Sequence, residues 1–229
     1  MKVCALIPAF NEAGTVGRVV TGAARHVARV LVVDDGSTDG TAERAREAGA
    51  EVLRLERNEG KGTAIRAGLA GVLRSDVTHV LFMDGDLQHP PEEIPRLLAE
   101  AAATGAAMVV AERLFVRDRM PASRYWANVV GSWALATLMG VDLTDTQSGF
   151  RLVRADVLRT LPIEARGYEF ETELVVKLAR RGARIARVSI PAVYGNERSK
   201  LRPVRDTSRN VILAVIYRFR REPTQEPHR

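Results

Sequence analysis

The residues Asp84-Gly85-Asp86-Leu87-Gln88-His89 follow an apolar run and place two carboxylates and an amide oxygen at i, i+2 and i+4. Where the backbone turns, Asp84, Asp86 and Gln88 can converge on one cation. All three are hard oxygen donors, which suits Mg²⁺ or Mn²⁺ rather than zinc. A divalent ion beside carboxylates ordinarily faces phosphates. The same stretch reads equally well as a helix N-cap and turn, because Pro90 stands where a helix opens. His89, a lone histidine, reads as a supporting or surface residue.

Two further polar clusters end apolar runs. Asp34-Asp35-Gly36-Ser37-Thr38-Asp39 offers carboxylates to ribose hydroxyls or a base N–H, and it is also good turn and helix-capping chemistry. Asn58-Glu59-Gly60-Lys61-Gly62 sets a lysine between glycines, like a phosphate cradle, but it lacks the full P-loop spacing. No Gly-x-Gly-x-x-Gly follows the first apolar run, which excludes an ordinary dinucleotide-binding enzyme.

These clusters need elements to hold them at one edge. Apolar strands at 3–9, 30–33, 51–55, 77–83 and 106–111 alternate with helices at 14–26, 41–48, 62–73 and 91–103. That alternation predicts an α/β fold with an open, mostly parallel twisted sheet covered on both faces. Ligands of such sheets bind at the carboxyl ends of the strands, where all three clusters fall. The second half predicts a basic loop at 113–124, an apolar helix at 125–139, a strand at 148–153, a helix at 168–181 and an edge strand at 184–190. A last helix is predicted at 206–221, fraying beyond 223. No linker or repeat appears. The expected organisation is one domain over 1–205, with a basic amphipathic helix and tail over 206–229.

The chain has 229 residues, 46% hydrophobic and 27% charged, enough for a sizeable core. The single cysteine, Cys4, lies in the first apolar run and excludes an intrachain disulfide framework. The longest uncharged run, 125–141, is 17 residues and too short and polar to span a bilayer. The net charge is +6, and five of those six positive charges lie between Gly195 and the C-terminus, as nine Lys/Arg against four acids. That asymmetry points to an anionic partner. Aromatics make up only 5% and form no stacking pattern, which argues against nucleic acid. The amphipathic 125–139 and 206–221 helices suggest peripheral attachment at the cytoplasmic face of a membrane. The alternative is packing in the core or in a homodimer interface.

Taken in order, the motifs resemble a known family. Pro8-Ala9-Phe10-Asn11-Glu12, Asp34-Asp35-Gly36-Ser37-x-Asp39-x-Thr41, Asn58-x-Gly60-Lys61-Gly62 and Asp84-x-Asp86-x-Gln88 are similar to the inverting family 2 glycosyltransferases with the GT-A fold. Asp145-Thr146-Gln147-Ser148-Gly149-Phe150-Arg151, Tyr168-Glu169-Phe170-Glu171-Thr172-Glu173 and Tyr194-Gly195-x-Glu197-x-Ser199-Lys200 resemble the branch that transfers a sugar to a polyprenyl phosphate, the dolichyl-phosphate mannosyltransferase type. The resemblance spans roughly residues 2–205 of the sequence.

The resemblance implies a GDP- or UDP-linked hexose donor held by a nucleotide-sugar half over 1–112, a polyprenyl phosphate acceptor held by an acceptor half over 113–205, and a Mg²⁺ or Mn²⁺ cofactor. Pro8, Ala9, Glu12, Asp35, Lys61, Asp84 and Gly85 would serve the nucleotide. Asp84, Asp86 and Gln88 would hold the metal. Asp86, Arg113, Arg124 and Asp145 would act at the reacting centre. Arg117, Gln147, Ser148, Arg151, Lys200 and Arg202 would line the acceptor and its phosphate. The chain departs from the pattern at Ala111-Glu112-Arg113, where the family often carries Gly-Ser-Arg. An acceptor phosphate is already anionic at neutral pH and needs cations rather than a base. A hydroxyl acceptor would instead need a carboxylate base, for which Asp145, Glu171 and Glu173 are the candidates.

Overall fold

The computed structural model describes residues 1–114 and 122–191, the side chains of 114, 122–128 and 135 excepted. Seven strands form one sheet: β1 (Val3–Ala9), β2 (Arg29–Asp34), β3 (Glu51–Arg54), β4 (His79–Phe82), β5 (Met108–Leu114), β6 (Arg151–Arg154) and β7 (Ile185–Pro191). Their order is β3-β2-β1-β4-β6-β5-β7. Every pairing is parallel except those of β6, which runs antiparallel to both β4 and β5. The carboxyl ends of β1, β2, β4 and β5 therefore share one edge of the sheet.

The helices are α1 (Val16–Ala24), α2 (Thr41–Glu47), α3 (Lys61–Val72), α4 (Ile94–Thr104), α5 (Ala122–Met139), α6 (Ala155–Thr160) and α7 (Phe170–Arg180). They cover both faces. Side chains alternate along β1: Val3, Ala5, Ile7 and Ala9 join the core layer that contains α1 and α4, while Cys4 and Leu6 join the layer of α3, α6 and α7. Both layers are dry, so a near-continuous apolar run is what such a strand requires. The Cys4 thiol is fully buried and is pushed up to about 11 by that burial, which leaves it an inert core residue.

Three expectations need correction. The fifth strand, expected at 106–111, runs from Met108 to Leu114, so Arg113 and Leu114 belong to the sheet rather than to the basic loop expected at 113–124. It does so because β7 pairs with it in parallel along its whole length. The strand expected at 148–153 begins only at Arg151, since Ser148 and Gly149 are drawn into the site. Helix α6 was not anticipated; six residues are too short to establish a helical period. The predicted 206–221 helix and the basic tail lie outside the described residues.

Candidate active site

The loop after β1 is knitted to the loop after β2. Asn11 takes a left-handed conformation, φ 54°. Its N–H donates to Ser37 Oγ at 2.9 Å, and its side-chain oxygen accepts from Thr38 N at 3.0 Å. Glu12 N donates to Thr41 Oγ1 at 2.8 Å, and Ala13 N to Asp39 Oδ2 at 3.0 Å. Asp39 is a carboxylate for turn geometry. Burial opposes its ionisation, but donors from Thr41 and Ala13 hold it below the usual range. Asp34 is fully buried, accepts from Ser37 N at 2.9 Å and lies 3.3 Å from Arg54. Asp35 is also buried, and its two oxygens accept from the N–H groups of Glu59 and Gly60 at 2.8 and 2.9 Å. It holds the 59–60 turn beneath the cleft.

The glycines around Lys61 have a packing cause. A Cβ at Gly62 would lie 2.6 Å from the carbonyl carbon of Arg166 and 2.8 Å from Ala165 O, and one at Gly60 2.7 Å from Arg166 O. The 165–167 backbone presses on this turn, and Thr63 N donates to Arg166 O at 3.1 Å. The two glycines admit the close approach of this 165–167 segment. Lys61 itself turns inward. Its ammonium sits 2.6 Å from Asp84 Oδ1 and 2.8 Å from Glu171 Oε1.

The turn after β4 carries Asp84, Gly85 and Asp86. Leu87 adopts a positive φ of 62°, a conformation rare for a branched residue and often tolerated at functional turns. Asp86 Oδ1 accepts from Gln88 N at 3.0 Å, which is the turn chemistry expected of this stretch. The turn packs on the β1 loop: a Cβ at Gly85 would stand 3.5 Å from Ala9 Cβ and 3.7 Å from Glu12 Cβ. Ala9, Glu12 and Gly85 thus meet at the carboxyl ends of β1 and β4, with Pro8 buried one residue earlier in β1. His89 is buried against Phe150, ring centroids 5.3 Å apart, with Nε2 3.6 Å from Asp84 Oδ2.

Charge separates the two aspartates. Burial disfavours ionised Asp84, but Lys61 and His89 hold its carboxyl well below the ordinary range. Asp86 is pushed up to about 6 by burial and by the negative Asp84 beside it. Lys61 and His89 stand against Asp84, at 2.6 and 3.6 Å. A hard divalent cation fits this donor set. Among the described residues no cluster of three His, Cys, Asp or Glu forms a protein cage. Mg²⁺ and Mn²⁺ commonly take most remaining positions from phosphates and water.

Arg113, at the end of β5, grips Asp145 with two bonds, Nε to Oδ2 at 2.7 Å and a terminal nitrogen to Oδ1 at 3.1 Å. Burial opposes both charges, yet each stabilises the other: Asp145 is lowered and Arg113 raised. Asp84 and Asp86 also act on Arg113, which places this cation in their field. Gln147 is half-buried beside the pair, its N–H on Asp145 Oδ1 at 3.3 Å. Ser148 and Gly149 are buried.

Gly149 touches the aspartate turn most closely. An added Cβ would lie 2.6 Å from Asp84 Oδ2 and 3.1 Å from the Lys61 ammonium. Gly149→Ala is expected to displace Asp84 and lower catalytic turnover about 10²-fold at a stability loss of about 1–3 kcal/mol. Steady-state transfer rates and thermal unfolding would check this.

Several expected site residues sit elsewhere. Arg151 is completely buried, and its guanidinium donates to the carbonyls of Ser148, Glu171 and Thr146 at 2.6, 2.8 and 2.5 Å. Burial pushes it down to about 10, opposed by Glu171 and Asp145, so it stays charged at neutral pH. It braces the 146–148 segment from below instead of facing an acceptor. Glu173 is fully buried and accepts from the N–H groups of Glu164 and Ala165 and from Lys177. It is structural and not a base. Arg117, Lys200, Arg202 and the side chain of Arg124 lie outside the described residues.

Glu112, the departure from the family pattern, has a structural role. It is buried at the end of β5 and accepts from Thr144 N at 2.5 Å, Thr144 Oγ1 at 2.8 Å and Asp145 N at 3.3 Å, with Arg187 at 3.6 Å. It fixes the residues just before the Arg113–Asp145 pair. The available signal was a carboxylate inside an apolar strand. Glu112→Ala leaves those donors unpaired and is expected to destabilise the protein by about 2 kcal/mol in urea unfolding. Ser132, the polar break in α5, is likewise explained: its buried hydroxyl meets Thr146 N and Oγ1, both at 3.2 Å.

With this geometry in place, the relatives can be weighed. The family model described as Glycosyl transferase family 2 matches residues 4–161. The chain belongs to glycosyltransferase family 2. It is 36% identical over 208 residues to the undecaprenyl-phosphate mannosyltransferase of Micrococcus luteus, covering 84% of each chain. It is 31% identical over 205 residues to the polyprenol monophosphomannose synthase of Mycolicibacterium smegmatis, covering 82% of this chain and 76% of the other. Among solved structures, glucosyl-3-phosphoglycerate synthase from Mycobacterium tuberculosis, in complex with Mn²⁺, UDP-glucose and phosphoglyceric acid, matches with a TM-score of 0.75 and 27% identity. That match covers 95% of this chain and 79% of the other. The α/β sheet is accordingly a GT-A fold, and the protein is a glycosyltransferase of the hexose-transferring kind.

Proposed function

We propose that this glycosyltransferase moves a hexose, mannose or glucose, from a GDP- or UDP-linked donor to a polyprenyl phosphate, with inversion and with Mg²⁺ or Mn²⁺. The observation that carries the acceptor class is the state of the carboxylates. A hydroxyl acceptor needs a base, yet Asp145 is clamped by Arg113 and held below its usual range, Glu173 is saturated by donors, and Glu171 is paired with Lys61. An acceptor that arrives as an anion requires none of them. The named activities of the Micrococcus and Mycolicibacterium relatives agree with this reading.

In this mechanism Asp84, Asp86 and Gln88 hold the divalent cation, which when bound neutralises the charge growing on the diphosphate leaving group. Pro8, Ala9, Glu12 and Gly85 border the nucleotide, while Asp35 acts from beneath by fixing the 59–60 turn. Lys61 and Arg113 supply preorganised positive charge on two sides of the aspartates. Arg113 also offsets repulsion between the acceptor phosphate and the donor. Gln147 and Ser148 line the acceptor side, braced by Arg151. Arg117, Arg124, Lys200 and Arg202 complete the cationic set in the proposal.

Attachment to a membrane surface belongs to the same reading. No helix among the described residues is long and apolar enough to cross a membrane. On α5, Val130 and Trp133 are three residues apart and expose 53% and 67% of their surface, as an interfacial helix would. Incubation with a panel of nucleotide sugars and a short polyprenyl phosphate, with and without metal, tests the proposal. The expected product is polyprenyl phosphate carrying one added hexose, seen by mass only when metal is present. Transfer to a hydroxyl acceptor with the lipid phosphate ignored would overturn it.

A further inference from the structure

Lys61 stands where a cation is otherwise needed. It is the first residue of α3, its side chain is 15% exposed, and its ammonium bridges Asp84 Oδ1 at 2.6 Å and Glu171 Oε1 at 2.8 Å. Among the described residues these two carboxylates are its only ion-pair partners. Glu171 is itself 6% exposed in the first turn of α7. Its main-chain oxygen is held by Arg151 at 2.8 Å, which ties its backbone to the buried frame. The space between these groups exists because residue 149 is glycine: any Cβ there would come within 3.1 Å of the ammonium.

A divalent ion on Asp84 and Asp86 would enter beside an ammonium already bonded to one of its ligands. Two positive centres on one carboxylate repel strongly in a partly dry cleft. Lysine has a flexible stem and a compact charge, so it can retreat while remaining charged. The carboxylate in place to receive it is Glu171.

We infer that Lys61 is a built-in competitor for the divalent cation at Asp84, and that Glu171 is the positioning residue that takes the lysine when the cation enters. The inference rests on the metal reading of Asp84 and Asp86. The metal-free site is thereby kept neutralised, and the metal alone binds less tightly than the two aspartates would otherwise allow. Donor phosphates then favour loading, because they offer the displaced ammonium a second partner.

Titration of the full-length protein with Mn²⁺ alone, followed by electron paramagnetic resonance of the free ion, tests this without turnover. Glu171→Gln leaves the lysine wholly on Asp84 and is expected to weaken Mn²⁺ about tenfold. The double variant Lys61→Met with Glu171→Gln conserves net charge and frees Asp84, so it is expected to bind Mn²⁺ about tenfold more tightly than wild type. If only net charge mattered, the double variant would match wild type, and that result overturns the exchange. Asp86→Asn serves as the control: if it leaves Mn²⁺ binding unchanged, the metal reading itself fails. Circular dichroism confirms folding, and Lys61→Ala replaces Lys61→Met if the latter does not fold.

Discussion

Asp86→Asn is expected to reduce transfer about 10²–10³-fold and, in the same protein, to raise the stability of the metal-free state. The first effect follows from losing a charged oxygen ligand of the cation that neutralises the leaving group, an interaction on the scale of about 3–4 kcal/mol of transition-state stabilisation. The second follows from electrostatics. Burial and Asp84 push the Asp86 carboxyl from the usual 3.8 up to about 6. A raised carboxyl binds its proton more tightly in the folded state than in the unfolded one. Its contribution to stability is therefore present at low pH and lost as pH rises from about 4 to about 6. Above that window the ionised Asp86 strains the fold by about 1–2 kcal/mol after solvent screening. Asparagine has no such titration. Urea unfolding of metal-free protein should show the variant more stable than wild type at pH 7.5 and equal to it near pH 4. Equal stability at both values, or retained turnover in metal-replete buffer, would contradict the assignment.

Arg113→Met is expected to destabilise the protein by about 3–5 kcal/mol, because it leaves Asp145 as a buried charge without its partner. In the wild type, burial works against Asp145, but Arg113 holds its pKa below the usual value. That pair contributes stability at pH above the unfolded value near 4, and the contribution fades as pH falls through the folded value. In Arg113→Met the sign reverses: burial now raises the Asp145 carboxyl, and acidification toward pH 5 restores part of the lost stability. The double variant Arg113→Met with Asp145→Asn removes both charges and should recover most of the stability. It should not recover transfer, because the cation beside Asp84 and Asp86 is still missing. A double variant that regains turnover along with stability would assign Arg113 a structural role only.

Much of this enzyme is written in local patterns. Apolar runs alternating with helical ones specify a mostly parallel sheet covered on both faces, because strands buried on both faces carry no polar alternation. The Asp84-x-Asp86-x-Gln88 spacing at the end of β4 offers hard oxygen donors at the ligand-binding edge and is the basis of the proposed cation site. Asp35 and Lys61, which adjoin elements on the ligand-binding edge, read in the sequence as nucleotide contacts; the structure shows what each holds, the 59–60 turn and the Asp84 and Glu171 carboxylates.

The division of labour among the charged residues was decided only in three dimensions. Asp145, Glu171 and Glu173 are chemically equivalent in the sequence, and their roles diverge through partners 32, 110 and 9 positions away: Arg113, Lys61 and the Glu164 N–H. Arg151 and Arg113 likewise read as the same kind of cation. One is sealed among three backbone carbonyls and the other faces the aspartates, because β6 runs antiparallel between β4 and β5 and presents Arg151 below the cleft. The glycines at 60, 62 and 149 are demanded by chain segments far away in sequence, the 165–167 loop and the Asp84 turn. Periodicity and turn chemistry are local properties and can be read along the chain. The pKa of a carboxylate and the orientation of a guanidinium depend on which distant groups burial brings within a few ångströms, and those contacts exist only once the sheet has closed.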